Sequence, residues 1–556
     1  MEKDSTITVK INGVEHTFPY GTRLEKMMQE TAKDPAIPIV GALVNGFVRG
    51  LYYTIIIDCD IRWIDLTSNL GCSIYRNSQR LLLLAAHNNA LPQRKLYIKH
   101  TLGDGTYCES RGETPFDETM MEALRKEMER LISEKTRIKH RFIFSEDIKA
   151  VGQKHHDEDT IEMLSASSQD KFDFYEIDSS LENFHGQVVS NCSQIPIFDL
   201  SAFDQGFILR APTTDSPDKI PPRPKIDRIG TLFLRFDHWA ESLRINTVGE
   251  LNKEIRLGNV SRLIEMAETM QMQNIFEIGQ QIIADIDNIR VLLIAGPSSS
   301  GKTTFSHKLS VFFRINGIEP VTLATDDYFV NREDNPKDEN GNYDFESIHC
   351  VDLKRLNDDI RSLIQGKPTQ TPIYDFKEGR RKEETRTMTM KKNQILVIEG
   401  IHCLNELIAD GIPQKNKRRL YMSVLTQLNL DRFNPISGTD NRLIRRITRD
   451  KAGRNASPAE TIMRWESVQR GENINLYPYQ ENADFFCNTS LIYEMAVLKP
   501  FIVPELLKIT PDLPSYNVAQ RLLGTLDAMR PIDASLVPPN SLLREFIGGS
   551  AFADLC

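Results

Sequence analysis

Lys302 and Thr303 close the run Ala295-Gly-Pro-Ser-Ser-Ser-Gly-Lys-Thr-Thr304. A glycine, four residues, then Gly-Lys-Thr is the spacing of a backbone turn that wraps phosphate. Glycines let the chain curl so that successive N–H groups face one anion, and the following helix N-terminus adds partial positive charge. Gly296, Pro297, Ser298, Ser299, Ser300, Gly301, Lys302, Thr303 and Thr304 are therefore the candidate ATP-binding residues. Lys302 can reach the β- and γ-phosphates, and the Thr303 hydroxyl can bind Mg²⁺. Two carboxylates follow apolar runs further on: Asp326 after Val321–Thr325 and Glu399 after Gln394–Ile398. Asp326 is a candidate base for an attacking hydroxyl, and Thr303, Asp326 and Glu399 form the candidate metal set. Such a set would suit transfer of a phosphoryl group from ATP to an alcohol.

These groups lie far apart in the chain, so a fold must gather them. Val291–Ile294 is a short apolar run that reads as a buried parallel strand, and Phe305–Ile315 reads as a helix. Strand, glycine-rich turn and helix predict an α/β core with a parallel sheet, in which ligands collect at the carboxyl ends of the strands. Arg442, Arg445, Arg446 and Arg449 recur at helical spacing, so several can share one face.

The 556 residues exceed one hydrophobic core, and the 40% hydrophobic and 26% charged content is that of a soluble protein. A net charge of −9 speaks against a general nucleic-acid or membrane-surface binder. No apolar run reaches the roughly 20 residues of a membrane span. The polar start Met1-Glu-Lys-Asp-Ser-Thr lacks the apolar core of a secretion signal, and the 8 cysteines form no C-x-x-C pair. A reducing cytoplasm is the expected compartment.

Thr6–Phe18 alternates apolar and polar residues about Asn12-Gly13, which predicts a hairpin, and a helix starts near Gly21–Met28. Ile39–Val44 and Tyr53–Ile57 are further strand candidates. Asp117–Arg137 sets Met121, Leu124, Met128, Leu131 and Ile132 on one helix face. Arg210–Pro224 is proline-rich and polar, the clearest boundary in the chain. Asn246–Ile286 has helical periodicity and reads as a connector.

The run from Val291 to about Lys508 resembles the uridine kinase branch of the uridine kinase/phosphoribulokinase family. The residues that carry the likeness are the phosphate loop, Asp326-Asp-Tyr-Phe329, Asn342-Tyr-Asp-Phe-Glu346, Pro372-Ile-Tyr-Asp-Phe376, Glu399-Gly-Ile401, Asp440–Asp450 and Ala483-Asp484. The resemblance implies a P-loop NTPase kinase core using ATP and Mg²⁺. Asp326 would activate a nucleoside 5′-hydroxyl, Asp344 would bind ribose, and Tyr374 and Phe376 would shape the base pocket. Arg442 would lie at the substrate, and a lid bearing Arg445 and Arg449 would close over the phosphates beside Lys302. The front of the chain resembles the β-grasp TGS domain (1–65) and the α+β second additional domain (66–210) of threonyl-tRNA synthetases. The editing pairs of that second domain fall here on Asn77 and Leu81 and on Phe184 and Val188, which cannot hold a metal or move a proton. A linker (211–226), a helical connector (227–287), the kinase unit (288–508) and a C-terminal extension (509–556) complete the expected organisation.

Two departures from the family stand out. Gly379 falls where pyrimidine kinases carry a base-reading histidine, and Phe329 replaces an expected tyrosine. Phosphorylation of uridine, and of cytidine after it, in pyrimidine salvage is the leading expectation. The alternatives are a kinase for another small hydroxyl acceptor, and a nucleotide-switched regulator binding tRNA or the ribosome through the front units. The resemblance also implies a homo-oligomer.

Overall fold

The computed structural model describes the chain apart from residues 1–5, 33–34, 36, 156–157, 179, 227, 232–233, 236–241, 338–340, 342, 376–377, 427, 455 and 553–556. The first sheet runs Val14–Pro19, Thr6–Ile11, Cys59–Asp65, Ile39–Val44, Phe47–Arg49. Its hairpin turns at Asn12-Gly13, with Ile11 opposite Val14 and both turn residues at positive φ, as a two-residue turn of this kind requires. The Leu24–Thr31 helix buries Leu24 and Met27 against it. Tyr53–Ile57 pairs only over Thr54–Ile55, with Ile56 and Ile57 left exposed.

The second unit is organised on the Asn69–Ala90 helix, capped by Ser68 and carrying Leu81–Ala86 almost wholly buried. Asp117 caps the Glu118–Ser133 helix, which buries Met121, Leu124, Met128 and Leu131, the spacing of one face. A four-stranded antiparallel sheet (Asp199–Phe203, Gly206–Arg210, Gly105–Arg111, Lys95–Leu102) and a three-stranded one (Ile138–Phe144, Lys171–Ile177, Ser180–Asn183) complete it.

Two helices of the connector, Val248–Arg256 and Val260–Ile283, are separated at Gly258, whose φ of +80° ends the first. Beyond it lies a fully parallel sheet in the order Glu319–Ala324, Gln394–Glu399, Val291–Ala295, Lys417–Ser423, Phe485–Asn488. The phosphate-loop strand is central, and all five of its residues are buried, the pattern of a strand covered on both faces. The extension beyond residue 508 does not stand apart. Leu522, Leu526, Leu543 and Phe546 share one core with Leu251 and Leu263 of the connector and with Leu443, Ile447 and Trp465 of the arginine-bearing region.

No helix among the described residues is long and apolar enough to cross a membrane.

Candidate active site

The phosphate loop leaves the central strand at Gly296. A β-carbon there would lie 2.9 Å from Met422 Cβ and 3.0 Å from its carbonyl oxygen, so only glycine fits beside the neighbouring strand. Ser299 and Gly301 take positive φ of 60° and 80°, the curl that turns the backbone inward. The Lys302–Ile315 helix starts at once, with Thr303 half-buried and Thr304 buried in its first turn. Lys302 Nζ donates to the carbonyls of Gly296 at 2.8 Å and Pro297 at 3.2 Å. Burial lowers its pKa, opposed by the charges of Asp326, Glu399 and Glu545.

Asp326 stands at the end of Glu319–Ala324, in the turn Thr325–Tyr328, and is exposed. Glu399 ends Gln394–Glu399 on the next strand, paired in register with Ala324, two residues before Asp326. Burial pushes Glu399 up to about 7, Asp326 and Glu545 add to the rise, and Lys302 opposes it. Its Oε2 is buried without a hydrogen-bond partner. Parallel pairing of three adjacent strands thus gathers Lys302, Asp326 and Glu399 at one end of the sheet, within electrostatic reach of one another.

Mg²⁺ binds in kinases through one or two carboxylates, waters and the substrate phosphates rather than a closed protein cage. The described residues hold no group of three or more His, Cys, Asp or Glu side chains fit for a metal. The Thr303 hydroxyl and the orphaned Glu399 oxygen, with Asp326 beside them, suit that sparser mode.

The acceptor side has its own carboxylates. Asp344 accepts from Glu346 N at 3.2 Å, and burial raises Glu346 to about 7, with Glu472, Asp326 and Asp344 adding to the rise and Arg446 opposing it. Tyr374 N donates to Asp327 at 3.3 Å, and its ring meets Phe329 edge to face, centroids 5.8 Å apart. Phe376 lies outside the described residues. Gly379 has a φ of +72°, and a β-carbon on it would approach Arg332 Nε to 2.7 Å. A histidine at that position is disfavoured by the left-handed backbone and would require the Arg332 side chain to move.

The arginines are placed differently from the lid expectation. They lie on the Gly438–Arg454 helix, but Arg445 is 0% exposed. It is ion-paired with Glu494, donates to Thr489 O at 2.8 Å and Ser299 O at 3.3 Å, and packs 5.1 Å from the Phe546 ring centre. It braces the loop from behind, because a buried guanidinium needs all its donors satisfied. Arg442, expected at the substrate, makes a bidentate pair with Glu472 at 2.6 and 2.8 Å and lies over Trp465. Arg446 reaches Ser298 Oγ at 2.8 Å. Arg449, with a quarter of its side chain exposed, lies within electrostatic reach of Lys302. Glu472, Glu494 and Glu545 were not picked out by sequence reasoning. Each is an isolated glutamate in a helix, with no local signal that it meets this loop.

Residues 291–486 match the family model described as the phosphoribulokinase/uridine kinase family. The uridine kinase of Ligilactobacillus salivarius is 27% identical over 187 residues, which are 34% of this chain and 78% of that protein. That of Bacillus subtilis is 28% identical over 180 residues, 32% of this chain and 76% of that protein. An Arabidopsis thaliana protein named inorganic pyrophosphatase TTM1 is 30% identical over 176 residues, 32% of this chain and 23% of its own length, so the chain spans less than a quarter of that relative. Among solved structures, a possible uridine kinase from Bacillus stearothermophilus aligns with 19% identity over 39% of this chain and 98% of its own, at a TM-score of 0.27. The matched region is similar to kinases. The family model leaves residues 1–290 outside its match.

Proposed function

We propose that the chain is an ATP- and Mg²⁺-dependent phosphotransferase that phosphorylates the 5′-hydroxyl of a nucleoside, uridine first and cytidine after it. The observation that carries this reading is the meeting of Lys302, Asp326 and Glu399 at the strand ends beside a complete phosphate loop. Loop amides and Lys302 hold the phosphates. Asp326, exposed at the strand end, takes the proton from the attacking hydroxyl. Asp344 and Tyr374 orient the acceptor, and Arg449 faces the phosphates. Mg²⁺, when bound at Thr303, Asp326 and Glu399, neutralises charge on the triphosphate.

A second acceptor class is favoured by one specific observation. Gly379 cannot carry a base-reading side chain, and Phe329 offers no hydroxyl. A pocket without polar readers discriminates bases weakly, because selectivity comes from leaving buried polar groups unpaired with the wrong ligand. Another small hydroxyl compound is therefore the alternative. Purified chain with ATP, Mg²⁺ and a panel of nucleosides, sugar phosphates and small polyols decides between them. A 5′-monophosphate is the expected product, and its absence from every nucleoside overturns the first reading. RNA binding by the front units and self-association belong to the same proposal, tested by gel shift of tRNA and by sedimentation.

A further inference from the structure

The C-terminal segment Ser541–Ile547 is seated against the phosphate loop. Leu542, Leu543 and Phe546 are at most 1% exposed. Ser541 Oγ and Tyr493 OH both donate to Glu268 Oε1, the latter at 2.6 Å, and the Phe546 ring lies under Arg445. Leu542 packs on Gly301, where an added β-carbon would come within 2.6 Å of its methyl group. These anchors hold Glu545 at the first turn of the phosphate-loop helix. There Thr304 Oγ1 donates to Glu545 Oε2 at 2.8 Å, with Thr304 N at 3.4 Å.

The donors of that turn are the ones a phosphate loop offers to its anionic ligand. A carboxylate on Thr304 occupies one of them and repels any phosphate brought beside it. Part of the cradle is engaged from within the protein too, although the Ser299 and Ser300 hydroxyls are buried without partners. Lys302 folds onto the Gly296 and Pro297 carbonyls, and Ser298 N donates to Glu472 at 2.9 Å. Glu472 is neutralised by Arg442, whereas the charge of Glu545 is felt by both Lys302 and Glu399.

We propose that Glu545 is a tethered anion that competes with nucleotide phosphate for the loop, so that nucleotide binding and docking of Ser541–Ile547 oppose each other. This rests on reading Gly296–Thr304 as a nucleotide site. The tail then sets nucleotide affinity: the seated state keeps a carboxylate on the loop helix, and ATP must lift Glu545 from Thr304 to bind. A partner or acceptor that drew the tail away would raise occupancy with no new contact to ATP.

The test is equilibrium binding of ATP and ADP to the full chain, as wild type, Glu545→Ala and Glu545→Gln. Removing the charge should tighten ATP binding by about tenfold or more. Glu545→Gln, which keeps an oxygen for the Thr304 hydroxyl, should tighten it less. Hydrogen exchange on the wild-type chain, which needs no variant to fold, should speed up over 541–552 at saturating ATP. Equal or weaker ATP binding by Glu545→Ala, or unchanged or slower exchange in the tail, overturns the proposal while leaving the nucleotide site standing. Failure of wild type and both variants to bind ATP at millimolar concentration overturns the nucleotide site and, with it, the tail's role.

Discussion

The phosphate-loop end of the parallel sheet and the interior of the 69–210 unit are built from opposite choices. At the loop, the fold keeps polar groups in unfavourable states: Ser299 at positive φ, Glu399 Oε2 without a partner, and Glu399 and Glu346 both raised to about 7. In the front unit, Leu81, Phe184 and Val188 are at most 1% exposed and part of one apolar core. Asn77 donates to the His185 carbonyl at 3.4 Å. One region holds strain and orphaned charge where a ligand can relieve them. The other is filled by close packing, which stabilises the fold.

That contrast can be broken from either side. The largest effect is expected at Lys302: Lys302→Ala should cut phosphoryl transfer about a thousandfold or more, as loss of a preorganised cation does. Leu81→Ala should leave turnover per folded molecule unchanged, and equal losses in the two variants would erase the distinction. Next, Glu472→Gln leaves the buried Arg442 guanidinium short of a countercharge, because both Glu472 oxygens are bonded to it. A destabilisation of about 3 kcal/mol is expected from calorimetry. Leu81→Ala itself should cost about 3 kcal/mol through the cavity it leaves. Asp326→Asn should lower turnover about a hundredfold while ATP affinity is kept, measured by initial rates and titration. Near-normal turnover would remove Asp326 as the base.

The smallest effect is a pH dependence that both regions share. Burial lowers His87 and His185 in the front unit and His402 beside Glu399 from 6.5 to about 4. Below 6.5 the unfolded chain takes up protons that the native chain refuses, so stability falls as pH drops toward about 4. Each histidine contributes up to about 1.4 kcal/mol per pH unit in that window. Glu399 and Glu346, raised to about 7, gain stability over the same window and oppose this loss, so the histidine contribution is read as a difference between wild type and variant. His402→Leu, which removes two buried ring nitrogens without partners, should gain in thermal midpoint relative to wild type as pH drops from 7 to 5. An unchanged difference would mean that His402 is hydrated in solution.

Much of the site was legible before any coordinates. The phosphate loop, its strand and its helix are local in sequence, and each local preference agrees with the others: an apolar run, glycines where φ turns positive, a helix-forming stretch after them. The strand-end positions of Asp326 and Glu399 followed from the apolar runs before them. The arginine helix was legible as a helix, but its orientation was not. Spacing puts Arg442, Arg445 and Arg449 on a helix without saying whether that helix faces a cleft or a core. Here the apolar surface of 494–547 covers Arg445.

The sequence by itself therefore determined the chemistry that the loop can hold and the parallel α/β frame that delivers two carboxylates to it, because those depend on local backbone preference and on strand periodicity. The tertiary structure alone decided which arginines are buried, why Gly379 favours glycine, and that Glu545, 241 residues beyond Thr304, sits on the phosphate-loop helix. Those facts come from packing between segments distant in the chain, where burial and charge pairing are set by neighbours that no local pattern names.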